Sequence, residues 1–91
     1  MDFEWDDDKN KVNITKHGLS FRRAKSVFSD KSRIIMLDVD HSKSEKRYFC
    51  IGKTTDGRIA TVRFTIRKGY IRIIGAGYWR KGKKIYEQNN S

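Results

Sequence analysis

Apolar residues change their spacing along this chain, and the change divides it into a helical part and a sheet part. Phe21, Ala24, Val27 and Phe28 recur three and four apart, the spacing that lines one face of a helix. Ser20 precedes them as an N-cap, and Leu19 and Ala24 occupy the positions of a hydrophobic staple. Upstream, Phe3 to Trp5 reads as a short strand. Asp6, Asp7 and Asp8 supply cap and first-turn carboxylates to a helix beginning near Asp8, and Gly18 ends it. From Arg33 onward the pattern becomes extended. Arg33 to Val39, Lys46 to Lys53, Ile59 to Arg67 and Tyr70 to Ala76 are rich in Ile, Val, Phe, Tyr and Thr and read as strands.

The turns fix how these strands pair. Asp56-Gly57 is a hairpin signal, and as a two-residue loop it pairs Ile51 with Val62 and Phe49 with Phe64. Lys68-Gly69 is a weaker one, since lysine is disfavoured at positive φ, and it pairs Phe64 with Ile73 and Ile66 with Ile71. Both registers oppose apolar residues, and a slip of one position would reverse the faces. The expected helix-covered face carries Phe49, Ile51, Val62, Phe64, Ile66, Ile71 and Ile73. The other carries Tyr48, Cys50, Thr61, Arg63, Thr65, Arg67, Tyr70 and Arg72. Gly75-Ala76-Gly77 interrupts the last strand, and Lys81 to Gln88 reads as a short basic helix. The fold class is therefore α+β: two N-terminal helices on a four-stranded antiparallel meander, with a short C-terminal basic helix.

Ninety-one residues suit one small domain spanning 1–91. Charge sharpens the functional reading. The chain carries a formal +10, and the sign is unevenly spread. Five of the eleven acids lie in the first eight residues, whereas Arg58 to Tyr86 holds nine basic residues and no acid. Such a field attracts polyanions. The single cysteine, Cys50, excludes an intrachain disulfide and suits a reducing compartment. No apolar run is long enough to span a bilayer and the acidic start is not a signal peptide, so a cytoplasmic setting without a membrane is expected.

On the outer sheet face, Arg63, Arg67 and Arg72 alternate with Tyr48 and Tyr70, and Lys81 follows on the tail. Guanidinium groups grip phosphates and aromatic faces stack on unpaired bases, so this face suits single-stranded RNA. An ordinary solvated face is the plainer reading; the charge bias argues against it. Asp38, Asp40, His41, His17 and Glu45 show no metal-ligand spacing, and Asp38 to His41 reads as a polar turn. No glycine-rich phosphate loop is present, so neither metal nor cofactor is expected. RNA cleavage without a metal needs a proton acceptor at the 2′-hydroxyl, cationic stabilisation of the phosphorane, and a proton for the leaving oxygen. Glu45, His17, Lys84 and Tyr86 are candidates for proton transfer. For His17, at a helix C-terminus, the dipole favours a capping role.

Several blocks carry a resemblance. Phe3-x-Trp5-Asp6, Lys9, Asn13 and Lys16-His17-Gly18-x-Ser20-Phe21 resemble the opening of the BrnT family of bacterial type II toxins. Asp40-His41-Ser42 with Glu45-x-Arg47 and Ile51-Gly52 resembles a second block. Gly57-Arg58, Ile71-Arg72-Ile73-Ile74 and Tyr86-Glu87 resemble later ones. The resemblance implies a RelE-like fold and an RNA endonuclease that inhibits translation. It also implies a BrnA-like antitoxin of ribbon-helix-helix type, with operator DNA bound only through the complex. It places Glu45, Arg47, Arg72 and Tyr86 at motif positions, to which Arg80 and Lys84 are added as catalytic candidates. Many members read Ser-Ala-Arg where this chain reads Gly75-Ala76-Gly77; Arg80 or Lys81 can reach the same space from the next turn, and equally the departure can leave the active site altered or weak. That departure keeps a second reading open, a non-catalytic nucleic-acid-binding or partner-binding module.

Overall fold

The computed structural model describes residues 2–91. Strand β1 (Phe3–Trp5) leads into α1 (Asp7–His17) and α2 (Phe21–Ala24), which tightens into a 3₁₀ turn over Lys25–Ser29. Strand β2 (Ile34–Leu37) and a 3₁₀ turn at Val39–His41 precede β3 (Arg47–Lys53), β4 (Ile59–Arg67) and β5 (Tyr70–Gly77). Helix α3 (Arg80–Asn89) closes the described chain. The strands form one sheet in the order β1-β5-β4-β3-β2. The α+β class holds, but the sheet has five strands rather than four. The segment Phe3–Trp5 joins it in parallel, pairing Phe3 with Ile71 and Trp5 with Ile73.

The caps behave as their residue types dictate. Asp6 accepts from the backbone N–H of Asp8 and Lys9, and those bonds hold its carboxyl below the usual range. Gly18 adopts φ 65° and returns its N–H to Ile14. Ser20 caps α2. Helices α1 and α2 cover one face of the sheet, where Leu19, Phe21, Ala24, Val27, Cys50, Val62, Phe64, Ile73 and Ala76 form the core. Each large side chain fully buried there contributes roughly 1.5–3 kcal/mol. Asn13 is buried among them. Its amide donates to the carbonyls of Leu19 and Ala76 and accepts from the Ala76 N–H, tying α1 to β5.

The β4–β5 hairpin has the expected register, with Phe64 opposite Ile73 and Ile66 opposite Ile71. Lys68 accepts φ 51° beside Gly69 at 82°, so lysine's reluctance is overridden by the pairing on either side. A bulge then shifts the ladder, bringing Arg63 opposite Gly75.

The β3–β4 hairpin differs from expectation. Asp56-Gly57 does not form the whole loop. Thr54 donates its N–H to Arg58 and accepts from Gly57, whose φ is 82°, and Asp56 caps the turn by accepting from the Thr54 hydroxyl. The loop proper is thus Thr55 to Gly57, one residue longer than a two-residue turn. Cys50 therefore opposes Val62, Tyr48 opposes Phe64, and Phe49 opposes Arg63. Every β3 side chain changes face. Tyr48 stacks on Phe64, 5.3 Å between centroids, on the helix-covered side. Cys50 is fully buried in the core, and burial pushes its thiol up to about 12. Phe49 and Ile51 turn to the outer face, where α3 packs.

Candidate nucleic-acid interface and active site

The outer face is built in two parts. At one end, Glu4, Arg72, Thr65 and Arg47 are register partners running across β1, β5, β4 and β3. Glu4 accepts from Arg72 Nη1 at 3.0 Å. Glu45, just before β3, takes a fork from Arg67, with Nε at 3.1 Å and Nη2 at 2.8 Å, and lies 3.8 Å from Arg47. The Arg67 hydrogen bond, with Arg67, Arg47 and Arg72 charges nearby, holds the Glu45 carboxyl below its ordinary value. The same bond pushes Arg67 up. Thr65 lies beneath this layer and donates to the Lys46 carbonyl.

At the other end, α3 crosses β3 and β4 so closely that only glycine fits at the contact. A Cβ on Gly82 would lie 1.9 Å from Thr61 Oγ1. Between α3 and the sheet runs a slot of about 430 Å³. Met36, Phe49, Trp79 and Ile85 give it apolar walls, and Arg63, Lys81 and His41 are its basic members. Among the described residues, Arg63 has no carboxylate within ion-pair distance, whereas Arg47, Arg67 and Arg72 each have one. His41 Nδ1 lies 2.8 Å from Asp38 Oδ2, and the Asp38 side chain is only 5 % exposed.

The structure separates the sequence-predicted site residues into groups. Glu45, Arg47, Arg67 and Arg72 come together, with Tyr70 exposed opposite Arg67. Arg63 and Lys81 meet at the slot. Arg80 and Lys84 point away from it, sharing a shallow hollow with Tyr78 and Glu87. Tyr48 is displaced to the core side by the β3 register. Tyr86 is buried and donates to Asp30 Oδ2 at 2.6 Å; Asp30 also accepts from the Lys53 N–H. Tyr86 thus sits at the Lys53 end of β3 and Glu45 at the Arg47 end, a separation of roughly 20 Å along the strand. One phosphate cannot touch both. The Asp30 bond and burial raise the Tyr86 hydroxyl's pKa, which fits a structural tie. His17 closes α1 and packs edge-on against Trp79 at 5.4 Å. The polar turn expected at Asp38 to His41 is present, and it also aims His41 at the slot. Their i, i+3 spacing was the available signal.

A second hollow, about 620 Å³, lies on the opposite face, with Phe3, Phe28, Tyr48, Phe64 and Ile66 among its walls. It marks where the short α2 leaves the sheet uncovered, and its charged members are Lys25 and Arg33. Among the described residues, no three His, Cys, Asp or Glu side chains cluster as metal ligands, and no helix is long and apolar enough to cross a membrane.

The family model for the ribonuclease toxin BrnT of type II toxin–antitoxin systems matches residues 5–82. The chain belongs to the BrnT family. Its fold is similar to the crystal structure of the Brucella abortus ribonuclease toxin BrnT, with a TM-score of 0.64 and 25% identity. That match covers 85% of this chain and 94% of the Brucella one. No curated protein sequence gives a significant match. The family is one of ribonuclease toxins, which carry an antitoxin partner by the definition of the system.

Proposed function

We propose that this BrnT-family chain, acting as one toxin domain over residues 1–91, is an endoribonuclease. It cuts single-stranded RNA without a metal ion and so inhibits translation in the cytoplasm. The observation that carries the reading is Arg63: an arginine without an acidic partner among the described residues, half-buried on the outer face beside Lys81. Such a guanidinium is free to meet a phosphate. Arg47, Arg67 and Arg72 extend the positive field but are partly neutralised by Glu45 and Glu4. They serve to guide and position the strand, with Tyr70 offering an exposed ring for stacking. Glu45, whose basicity Arg67 weakens, holds those arginines in place better than it takes a proton.

The antitoxin is proposed to be BrnA-like, of ribbon-helix-helix type, and to bring an acidic segment over the basic face, with operator DNA contacted only by the complex. Arg80 and Lys84, which face solvent, suit that contact better than catalysis. A non-catalytic binding module remains the competing reading because of Gly75-Ala76-Gly77. Arg63 lies opposite Gly75, and a Cβ there would meet its Cδ at 4.0 Å, an ordinary van der Waals contact, so a side chain at this position would sit against the Arg63 stem without displacing it.

The test is incubation of partner-free protein with single-stranded RNA in EDTA. Cleavage is expected. Intact RNA with folded protein supports the binding module, and cleavage abolished by the chelator refutes the metal-free mechanism.

A further inference from the structure

We propose that His41, oriented by the buried carboxylate of Asp38, is the proton acceptor for RNA cleavage at the mouth of the α3 slot. This rests on the ribonuclease reading and adds to it a role for His41, which lies in the Asp40-His41-Ser42 block but to which neither that resemblance nor the charge pattern gives any chemistry.

Three observations meet at this place. The first is the His41–Asp38 contact at 2.8 Å. A carboxylate on Nδ1 fixes the ring and its tautomer, leaving Nε2 free to accept a proton. The second is the contrast in exposure. The His41 side chain is 55 % exposed while Asp38 is 5 % exposed, so the orienting group is shielded and the reacting group is open to substrate. Asp38 is itself held in place: its N–H donates to the Arg47 carbonyl, and its own carbonyl accepts from the Ser42 hydroxyl. The third is that His41 shares the slot with Arg63 and Lys81, whose charges suit a phosphate, and with the apolar surfaces of Phe49 and Trp79, which suit a base. An apolar side chain from a protein partner would use the walls but not the cations. A nucleotide uses both.

In the proposed step, neutral His41 takes the proton of the 2′-hydroxyl through Nε2. The bond from the 2′-oxygen to phosphorus forms, with charge on the non-bridging oxygens met by Arg63. The bond from phosphorus to the 5′-oxygen breaks, and water supplies a proton to the leaving oxygen. The products are a 2′,3′-cyclic phosphate and a 5′-hydroxyl, and His41 returns its proton to solvent. No electron is exchanged and no co-reactant beyond water is needed.

The experiment compares single-turnover cleavage by wild type and His41→Ala, with binding of a non-cleavable 2′-O-methyl oligonucleotide measured in parallel. His41→Ala is expected to lose about a hundredfold or more in rate, to bind the oligonucleotide within about twofold of wild type, and to recover part of its rate with added imidazole. The wild-type rate should rise with pH, because the acceptor beside Asp38, Arg63 and Lys81 must be unprotonated to take the 2′-hydroxyl proton, and the variant should lose that limb. A purely structural role would show neither rescue nor the lost limb. Cleavage by the variant at the wild-type rate overturns the assignment while leaving the ribonuclease reading intact. A rate loss with no imidazole rescue and an unchanged pH limb also overturns it. Failure of wild type to cut overturns both.

Discussion

The hydroxyl of Tyr86 on α3 donates to Asp30 Oδ2 at 2.6 Å, and the same oxygen accepts the Lys53 N–H at 2.8 Å. One carboxylate thereby joins the C-terminal helix, the end of the helical layer and the end of β3. Burial alone would raise the Asp30 carboxyl, but the Tyr86 hydroxyl and the N–H groups of Lys53 and Ser32 hold it below the usual range.

Tyr86→Phe should therefore act on stability rather than chemistry. Losing a buried hydrogen bond to a charged group costs about 1.5–3 kcal/mol. Urea unfolding should show that loss, while RNA cleavage at a temperature where the variant is folded should stay within about threefold of wild type. A cleavage defect in fully folded Tyr86→Phe would return the tyrosine to the catalytic set.

The same bond predicts a pH signature. Asp30 and Glu45 both have depressed values in the folded state, so their contribution is complete above the unfolded carboxylate range near 4 and disappears as pH falls through the folded values. Tyr86 is raised, so its contribution is complete below its ordinary value of about 10 and disappears as pH rises through the folded one. Stability measured against pH should fall at both extremes, and Tyr86→Phe should flatten the acid limb, because Asp30 loses the bond that depresses it, and remove the tyrosine's share of the alkaline one.

Gly82→Ala tests how closely α3 must sit. Its Cβ would meet Thr61 Oγ1 at 1.9 Å, and overpacking of this kind costs roughly 1–3 kcal/mol. Thr61 Oγ1 is buried without a hydrogen-bond partner among the described residues, so Thr61→Ala alone should cost little. The double variant should recover part of the loss, a coupling that thermal melts of the four proteins would measure.

Much of this architecture could be read from the chain because local rules and packing agreed. The caps at Asp6, Gly18 and Ser20, the helix stripe from Phe21 to Phe28 and the Lys68-Gly69 hairpin follow from residue type and spacing. The β3 register could not be read the same way. Asp56-Gly57 suits both a two-residue and a three-residue loop, and the chain offers apolar residues on both faces of β3: Tyr48 and Cys50 on one, Phe49 and Ile51 on the other. Because α3 covers the second face, both faces had to be apolar, and alternation lost its power to decide. The pairing of Arg67 with Glu45 and Arg72 with Glu4 was hidden for another reason. It depends on contacts between residues 22 and 68 positions apart.

That pairing has a consequence for RNA binding. Arg63→Ala should weaken binding and reduce the salt slope by about one, since it removes an unpaired cation. Glu4→Gln should do the reverse, releasing Arg72 and steepening the slope. Binding isotherms of a non-cleavable oligonucleotide across a salt series would show both changes, and equal slopes in all three proteins would place the RNA elsewhere.

The antitoxin should meet the same field. Its association with the toxin is expected to be fast at low salt and to slow markedly as salt is added, because charge steering is screened. The opposing possibility is an apolar docking surface, and exposed Ile35, Met36, Leu37 and Val39 along and just beyond the open β2 edge provide one. Stopped-flow rates that ignore salt would favour that edge.

The central claim is that the outer sheet face, around Arg63, is where RNA is cut. It is tested most directly by single-turnover cleavage of single-stranded RNA by wild type, Arg63→Ala and Arg22→Ala, at equal folded concentration. Arg22 is an exposed arginine on α2, on the opposite side of the sheet, so it controls for charge alone. Arg63→Ala should lose about a hundredfold in rate, the scale of removing one preorganised donor to a developing anion, while Arg22→Ala should cut as wild type does. Equal rates for wild type and Arg63→Ala, or equal losses in the two variants, would contradict the account.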